Sequence, residues 1–354
     1  MKFRRHQKGG NLFSAVEHQQ AVARQLVGIL KIKDVIDWES FEPLLFEITG
    51  YNKKDWSKGG NLPFHPLLMF KILILQTFHG LSDDAVEYQI KDRLSFMNFL
   101  DLQMGDSVPD AKTIWDFKEL IEKGDRNGSQ KLFEHFHNLL IEEELIVKAG
   151  SIIDASFVDV PRQRNKREEN KLIKEGKRPE AFDNTPHKGA QKDCDARWTK
   201  KNNEVHYGYK NHTKVDAESK LIDSYETTPA STHDSQVFEV LLDSEDKAIL
   251  ADSAYLSEKN AQVLINRSLE NFVMLKAYRN SPLSKDDLVY NKKVSRIRVR
   301  CEHVFGRMKV MGADFCRKIG LKRVKQHNSL SNLTYNMDRY AYLSSWRFDR
   351  AKIE

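Results

Sequence analysis

Cysteine is scarce in this chain: Cys194, Cys301 and Cys316 are the only three among 354 residues. None forms a C-x-x-C pair, and the count is odd. This argues against a disulfide framework or a structural zinc site and fits a reducing cytosol. His206 and His212, with Cys194 nearby, have a spacing that fits no common zinc site, and they read as sheet residues. Long apolar runs are missing too. The longest candidate, Leu67 to Leu75, is interrupted by Lys71 and falls short of the ~18–20 residues that cross a bilayer. The basic start MKFRRHQKGG is followed by no apolar segment of the secretory kind. These absences speak against membrane and secreted classes and predict a cytoplasmic protein.

What is present is an ordinary globular composition, 40 % hydrophobic, with a net charge of +6. The charge is uneven. Residues 291–325 hold twelve Lys and Arg against Glu302 and Asp314, and residues 161–214 hold fifteen against eight acids. The remainder is acidic. Two basic stretches in an otherwise acidic chain point to a polyanion partner, although a merely solvated basic surface has the same signature.

Residues 11–145 read as helical. Apolar positions at helix spacing run from Phe13 to Leu30 and from Leu67 to Phe78, and Gly80 marks the second stop. Leu81-Ser-Asp-Asp84 and Ser107-Val-Pro-Asp110 then open two further helices. Helix, short turn, helix is compatible with a helix-turn-helix, with Thr113 to Lys118 as the candidate reading segment.

From Ile146 the pattern becomes strand, hairpin, helix, strand, helix, strand, helix. The strands are placed at Ile146–Val147 with Ser151–Asp154, His206–Val215, Leu221–Thr227, Ala248–Asp252 and Phe272–Leu275. A basic helix is placed at Val294–Met311. The polar stretch 161–203 reads as an insertion, either a DNA contact or a disordered linker.

Two apolar strands end in aspartates, Asp154 and Asp252, and strand ends are where open α/β sheets bind ligands. A third acid, Glu302, stands almost alone in the basic helix. With Arg298 set at zero, Glu302 falls at about +40° and Lys309 at about +20°, while Ile297, Cys301, Val304 and Met308 form a separate core stripe. Three carboxylates together repel and raise one another's pKa values. Divalent cations remove that conflict, and hard oxygen donors select Mg2+ or Mn2+. Two such ions can clamp an in-line phosphodiester displacement, with Arg298 and Lys309 on nearby phosphates. The plainer reading makes the aspartates strand-end caps and Glu302 the partner of Arg298. His233-Asp234 reads as a pair that supports the acids from behind or, more simply, as a helix start capped by Thr232 or Asp234. Trp198, Tyr207 and Tyr255 could stack on an unpaired base, with Tyr255 best placed, or serve as core aromatics.

The segment Arg298-x3-Glu302-x6-Lys309 resembles the third-acid motif of DDE transposases of bacterial insertion sequences, with Ser295 where the family has tyrosine. Ile152-Ile-Asp154 and Leu250-Ala-Asp252-Ser-Ala-Tyr255 are similar to its first and second acid strands. His206-Tyr-Gly-Tyr-Lys210-x-His212, Pro229-Ala-x-x-His233-Asp-Ser-Gln236, Asp92-Arg-Leu-Ser-Phe96, Pro109-Asp110-x-x-Thr113 and Asn332-Leu-x-x-Asn336-x-x-Arg339 match further stretches in the right order. The resemblance is to the insertion-sequence-five type and covers roughly residues 15–345.

It implies an α/β, RNase H-like catalytic domain over 146–345, preceded by an all-helical DNA-end-binding domain over 1–145. It implies Asp154, Asp252 and Glu302 as catalytic and metal-binding residues for two Mg2+ or Mn2+ ions. Arg298, Lys309, Lys210 and Tyr255 are the expected DNA contacts. The implied partners are double-stranded DNA, as transposon ends and target, and further copies of the chain in a synaptic complex. The implied location is the bacterial nucleoid. A non-catalytic DNA-binding regulator derived from a transposase, or a nuclease that cuts without joining, would share the basic surfaces.

Overall fold

The computed structural model describes residues 28–350 apart from 55–58, 60, 202 and 280, together with Glu17, Gln20 and Ala21; of 346–350 it describes the backbone alone. The expected helix from Phe13 to Leu30 therefore lies largely outside the described residues. Two compact units emerge, one of residues 1–123 with 341–354 and one of 124–340.

The described part of the first unit is helical: α1 (Ile29–Val35), α2 (Glu42–Thr49), α3 (Pro66–Phe78), α4 (Asp83–Asp92), α5 (Leu94–Phe99) and α6 (Ala111–Ile121). Helix α3 is apolar on all sides and is buried almost throughout, as expected for a central helix. Its one charge, Lys71, is buried and paired with Asp101 at 2.6 Å. Gly80 follows α3 at φ 61°. The Ser82 hydroxyl then accepts the Ala85 N–H, and the Asp110 carboxylate accepts the Thr113 N–H. Both expected caps are therefore made, each satisfying one orphan donor of a first turn. Lys118 is buried against Asp83, so the last residue of the segment expected to read DNA is a packing residue.

The second unit begins with α7 (Gly128–Glu142) and builds one mixed sheet from β1 (Ser151–Asp159), β2 (Arg197–Lys201), β3 (Glu204–Asp216), β4 (Ile222–Pro229), β5 (Ala248–Ala251) and β6 (Glu270–Val273). The order is β2-β3-β1-β5-β6, with β4 also paired to β3. Strands β1, β3 and β4 are antiparallel, while β5 runs parallel to β1 and β6 parallel to β5. Residues 146–147, expected as strand, precede β1. Asp154 is not terminal: β1 continues to Asp159 because β3 pairs along its whole length. Gly208 lies where β3 passes β1 most tightly. Its φ is +151°, and a Cβ there would sit 2.3 Å from the Val158 carbonyl oxygen, so only glycine fits.

The stretch 161–203 is neither linker nor loose loop. It forms α8 (Arg167–Lys174), α9 (Glu180–Asp183), α10 (Pro186–Gly189) and the edge strand β2. Phe182 and Ile173 are buried beneath it, and Asp193 accepts the Tyr209 hydroxyl at 2.7 Å. Few apolar residues sufficed, because this small layer leans on the existing sheet.

Helices lie on both faces of the sheet. On one face Ile153, Ile249 and Ala251 pack with Phe238, Leu241 and Leu264, which come from α11 (Phe238–Leu241) and α12 (Glu258–Asn266). The start of that region is capped by His233, whose ring accepts the Ser235 N–H, rather than by Thr232 or Asp234. The other face carries α13 (Lys285–Val310) and α14 (Leu321–Arg350). The Asn332, Asn336 and Arg339 spacing puts three polar groups on one stripe of α14. They bond Asn211, both backbone groups of Ile222, and the Ser219 carbonyl respectively.

Candidate active site

The parallel register pairs Ile153 with Ala251. One residue further come Asp154 and Asp252, near enough that the Asp252 charge acts on Asp154. Asp154 projects to the side of α13, where it meets Arg298. Strand β5 stops at Ala251 while β1 runs on, which opens a gap at the end of the ladder. Strand ends of this kind form ligand sites in open α/β sheets.

Each aspartate binds the next backbone N–H: Asp154 Oδ1 accepts from Ala155 at 2.8 Å and Asp252 Oδ1 from Ser253 at 2.5 Å. The cap reading is therefore partly correct, but it uses one oxygen of each. The second oxygen of Asp154 meets Arg298 Nη2 at 2.7 Å. Asp154 is largely buried, and its pKa is raised by that burial. Asp252 pushes it further up, while Arg298 and Lys201 pull against the shift without cancelling it. Lys201 lies on β2, so the basic insertion contributes charge to this site, a contribution not anticipated from the sequence.

Helix α13 supplies the third acid. It is longer than expected, starting at Lys285 with a Ser284–Asp287 capping box. Val294, Cys301, Val304 and Met308 are buried along it as the periodicity predicts, but Ile297 is 41 % exposed. Glu302 is exposed and, among the described residues, has no hydrogen bond or ion pair. Arg298 is spent on Asp154, which removes the reading of Glu302 as its salt-bridge partner. Glu302 acts on the neighbouring Cys301 thiol, whose pKa is driven well up by burial, then by Asp154, and to a lesser degree by Glu302.

Among the described residues, no three His, Cys, Asp or Glu side chains stand close enough to hold a metal ion. Asp154 and Asp252 nevertheless fit a divalent cation by chemistry: two adjacent hard carboxylates, one held in an unfavourable charged state by burial. Arg298 partly fills the same electrostatic need, and its buried Nε has no hydrogen-bond partner.

The other expected DNA contacts divide. Lys309 is exposed, with Asp314 as its nearest acid at 3.7 Å. Lys210 is buried and committed to Asp234 at 2.7 Å and the Thr232 carbonyl at 2.8 Å. Tyr255 is only 1 % exposed, packs on Phe238, and keeps its hydroxyl unpartnered. Both side chains are therefore buried and turned to internal partners rather than exposed on the surface, where a DNA contact is expected. His212 is fully buried and bonded to Thr228, and His206 stacks on Phe157 at 3.9 Å, in keeping with sheet residues.

No helix among the described residues is long and apolar enough to cross a membrane. Residues 147–337 match the family described as Transposase DDE domain, and residues 23–120 match Transposase domain (DUF772). No solved structure matches the chain. The first match spans more than half of the chain and takes in the acid-bearing strands, all of α13 and the first half of α14, so this chain belongs to the DDE transposases of insertion-sequence type.

Proposed function

We propose that this transposase binds the double-stranded ends of its own element, cleaves a DNA strand there and joins the freed 3′-hydroxyl to target DNA. Both steps are in-line phosphoryl transfers, for which positioning and charge stabilisation supply most of the catalysis. The observation that carries the proposal is the pair Asp154 and Asp252, neighbours where β5 ends, with Asp154 on the side of α13. An antiparallel β1-β3-β4 meander extended by parallel β5 and β6, with helices on both faces, supports an RNase H-like catalytic domain.

Asp154, Asp252 and Glu302 are the residues that would hold Mg2+ or Mn2+. When bound, two such ions stabilise the attacking and leaving oxygens of the displacement. Arg298 holds the Asp154 carboxylate in place until the site is loaded. Glu302, unpartnered and on the same helical stripe, is available to complete the donor set. Lys309 lies about 10 Å from Glu302 along the helix axis, too far to ligate and well placed for a backbone phosphate. The helical first unit, with its capped α3–α4 and α6 segments, is assigned to sequence recognition. Synapsis of two ends calls for at least two copies of the chain.

The test is incubation of the full chain with duplexes of its own element's ends and Mg2+, with mapping of strand breaks. Single-strand cuts at the end boundary are expected, lost in Asp154→Ala with end binding retained. Equal cutting by wild type and Asp154→Ala would sink the assignment. Specific binding without cutting by either would favour the non-catalytic regulator.

A further inference from the structure

Helix α13 carries cations on two flanks. With Arg298 at zero, Arg298, Glu302 and Lys309 share one flank, while Arg300 and His303 fall at about 200° and 140° on the other. That second flank meets the β3–β4 turn, residues 217–221, well away from the aspartate pair.

The turn is rigidly built. The Asp216 carboxylate accepts the N–H groups of Glu218 and Ser219 and the Ser219 hydroxyl. Its carbonyls are then taken by side chains of the two long helices. Arg300 donates to Ala217 O, Arg339 Nε donates to Ser219 O at 2.7 Å, and the Tyr335 hydroxyl donates to Lys220 O at 2.9 Å. Lys220 itself sits at φ +63°, a conformation that costs a lysine energy and places it beside these cations. Its ammonium lies 3.0 Å from His303 Nδ1, within hydrogen-bonding distance. Partial burial, and then the nearby Arg339 and Arg300 charges, lower its pKa.

Like charges held side by side on a stiff turn lower stability unless an anion joins them. We infer that Lys220, Arg300 and His303 on the β3–β4 turn form a second DNA-backbone phosphate site, on the flank of α13 opposite the aspartate pair. The inference rests on the transposase reading and adds a contact outside the reacting centre. Its ligand is a phosphodiester of B-form DNA, held without base information because its donors are point charges and a guanidinium fork. A duplex bound there would brace α13 from the side opposite the chemistry.

The experiment measures binding of the full chain to a 30-base-pair duplex of arbitrary sequence across a salt series. Wild type, Lys220→Gln, Arg300→Gln, the double variant and Arg300→Lys are compared, each with its melting temperature. Each lost phosphate contact lowers the magnitude of the log–log salt slope by about 0.9. The single variants are expected to lose about one contact each and the double variant about two, while Arg300→Lys keeps the wild-type slope. Lys220→Gln leaves the Arg300–Ala217 bond intact, so it reads out the site even if Arg300→Gln unfolds. If melting temperatures fall while all slopes equal the wild-type value, the cluster is only a staple for the turn and the inference fails, with the transposase reading untouched. If wild type itself shows no salt-dependent duplex binding, both fail together.

Discussion

Two acid clusters on the same sheet make opposite use of the same side chain. In one, Asp223 and Asp246 flank Lys214, which is fully buried on β3 at 2.7 and 2.8 Å from them. His137 adds a second partner to Asp223 at 2.7 Å, and Ser151 a second to Asp246. Burial works to raise Asp223, but the His137 and Lys214 contacts outweigh it and hold its pKa at about 2. In the other, Asp154 meets one guanidinium and a neighbouring carboxylate, and its pKa ends above the ordinary value. The first cluster is compensated within the chain and serves as scaffold. The second is left short of positive charge where β5 ends, in keeping with the cation site proposed there. In the sequence a lysine in a strand, such as Lys214, reads as part of a solvated face; its place in the alternation Lys210, His212, Lys214 is the signal that it is not.

The largest effect should come from breaking the compensated cluster. Lys214→Met leaves two buried carboxylates without their ammonium, and removing one partner of a buried ion pair costs about 3–5 kcal/mol. Thermal melting should drop sharply or the chain should fail to fold. A melting temperature within a degree or two of wild type would erase the contrast. Asp252→Asn should do the reverse. Its amide oxygen can still accept the Ser253 N–H, so stability should stay within about 1 kcal/mol. Cleavage should fall by about two to three orders of magnitude or more, as for loss of a group that stabilises transition-state charge.

His212 offers a sharper test through pH. Burial pushes its pKa down to about 4, against weaker opposition from Asp234. The folded protein therefore binds fewer protons there than the unfolded chain between pH about 4 and the ordinary histidine value, about 6.5. Stability should fall on acidification through that window, by at most about 3 kcal/mol from this residue. His212→Gln should flatten the fall, measured as denaturant midpoints at pH 7 and 4.5; an unchanged pH slope would mean the ring is not held neutral. The smallest effect is expected at exposed Lys309. Lys309→Ala should leave melting unchanged and lower the magnitude of the salt slope for DNA by about one contact. Cleavage should fall modestly without rescue by extra Mg2+.

Local chemistry made much of this legible beforehand. The capped helices at Ser82 and Asp110, the β3–β4 hairpin and the short strand before Asp252 follow from side chains bonding their own backbone or alternating along a few residues. Such signals act within four or five positions, so sequence suffices to read them. The three acids were visible for the same reason, as charges out of place in apolar strands or a basic helix.

What the tertiary structure decided is which of the polar residues face outward. Lys210, in a basic and aromatic strand, and Tyr255, three residues after Asp252, look like DNA contacts, and both are buried. Arg298 looks like a phosphate ligand and is drawn to Asp154, 144 residues earlier in the chain. The 161–203 segment has too few apolar residues to fold alone, yet it is ordered because β2 borrows hydrogen bonds from the edge of β3. Residue types and their spacing thus determined the family and the local elements. Pairing across the sheet decided burial, because the free energy of placing a charge depends on partners far away in sequence, and only the folded chain brings them within reach.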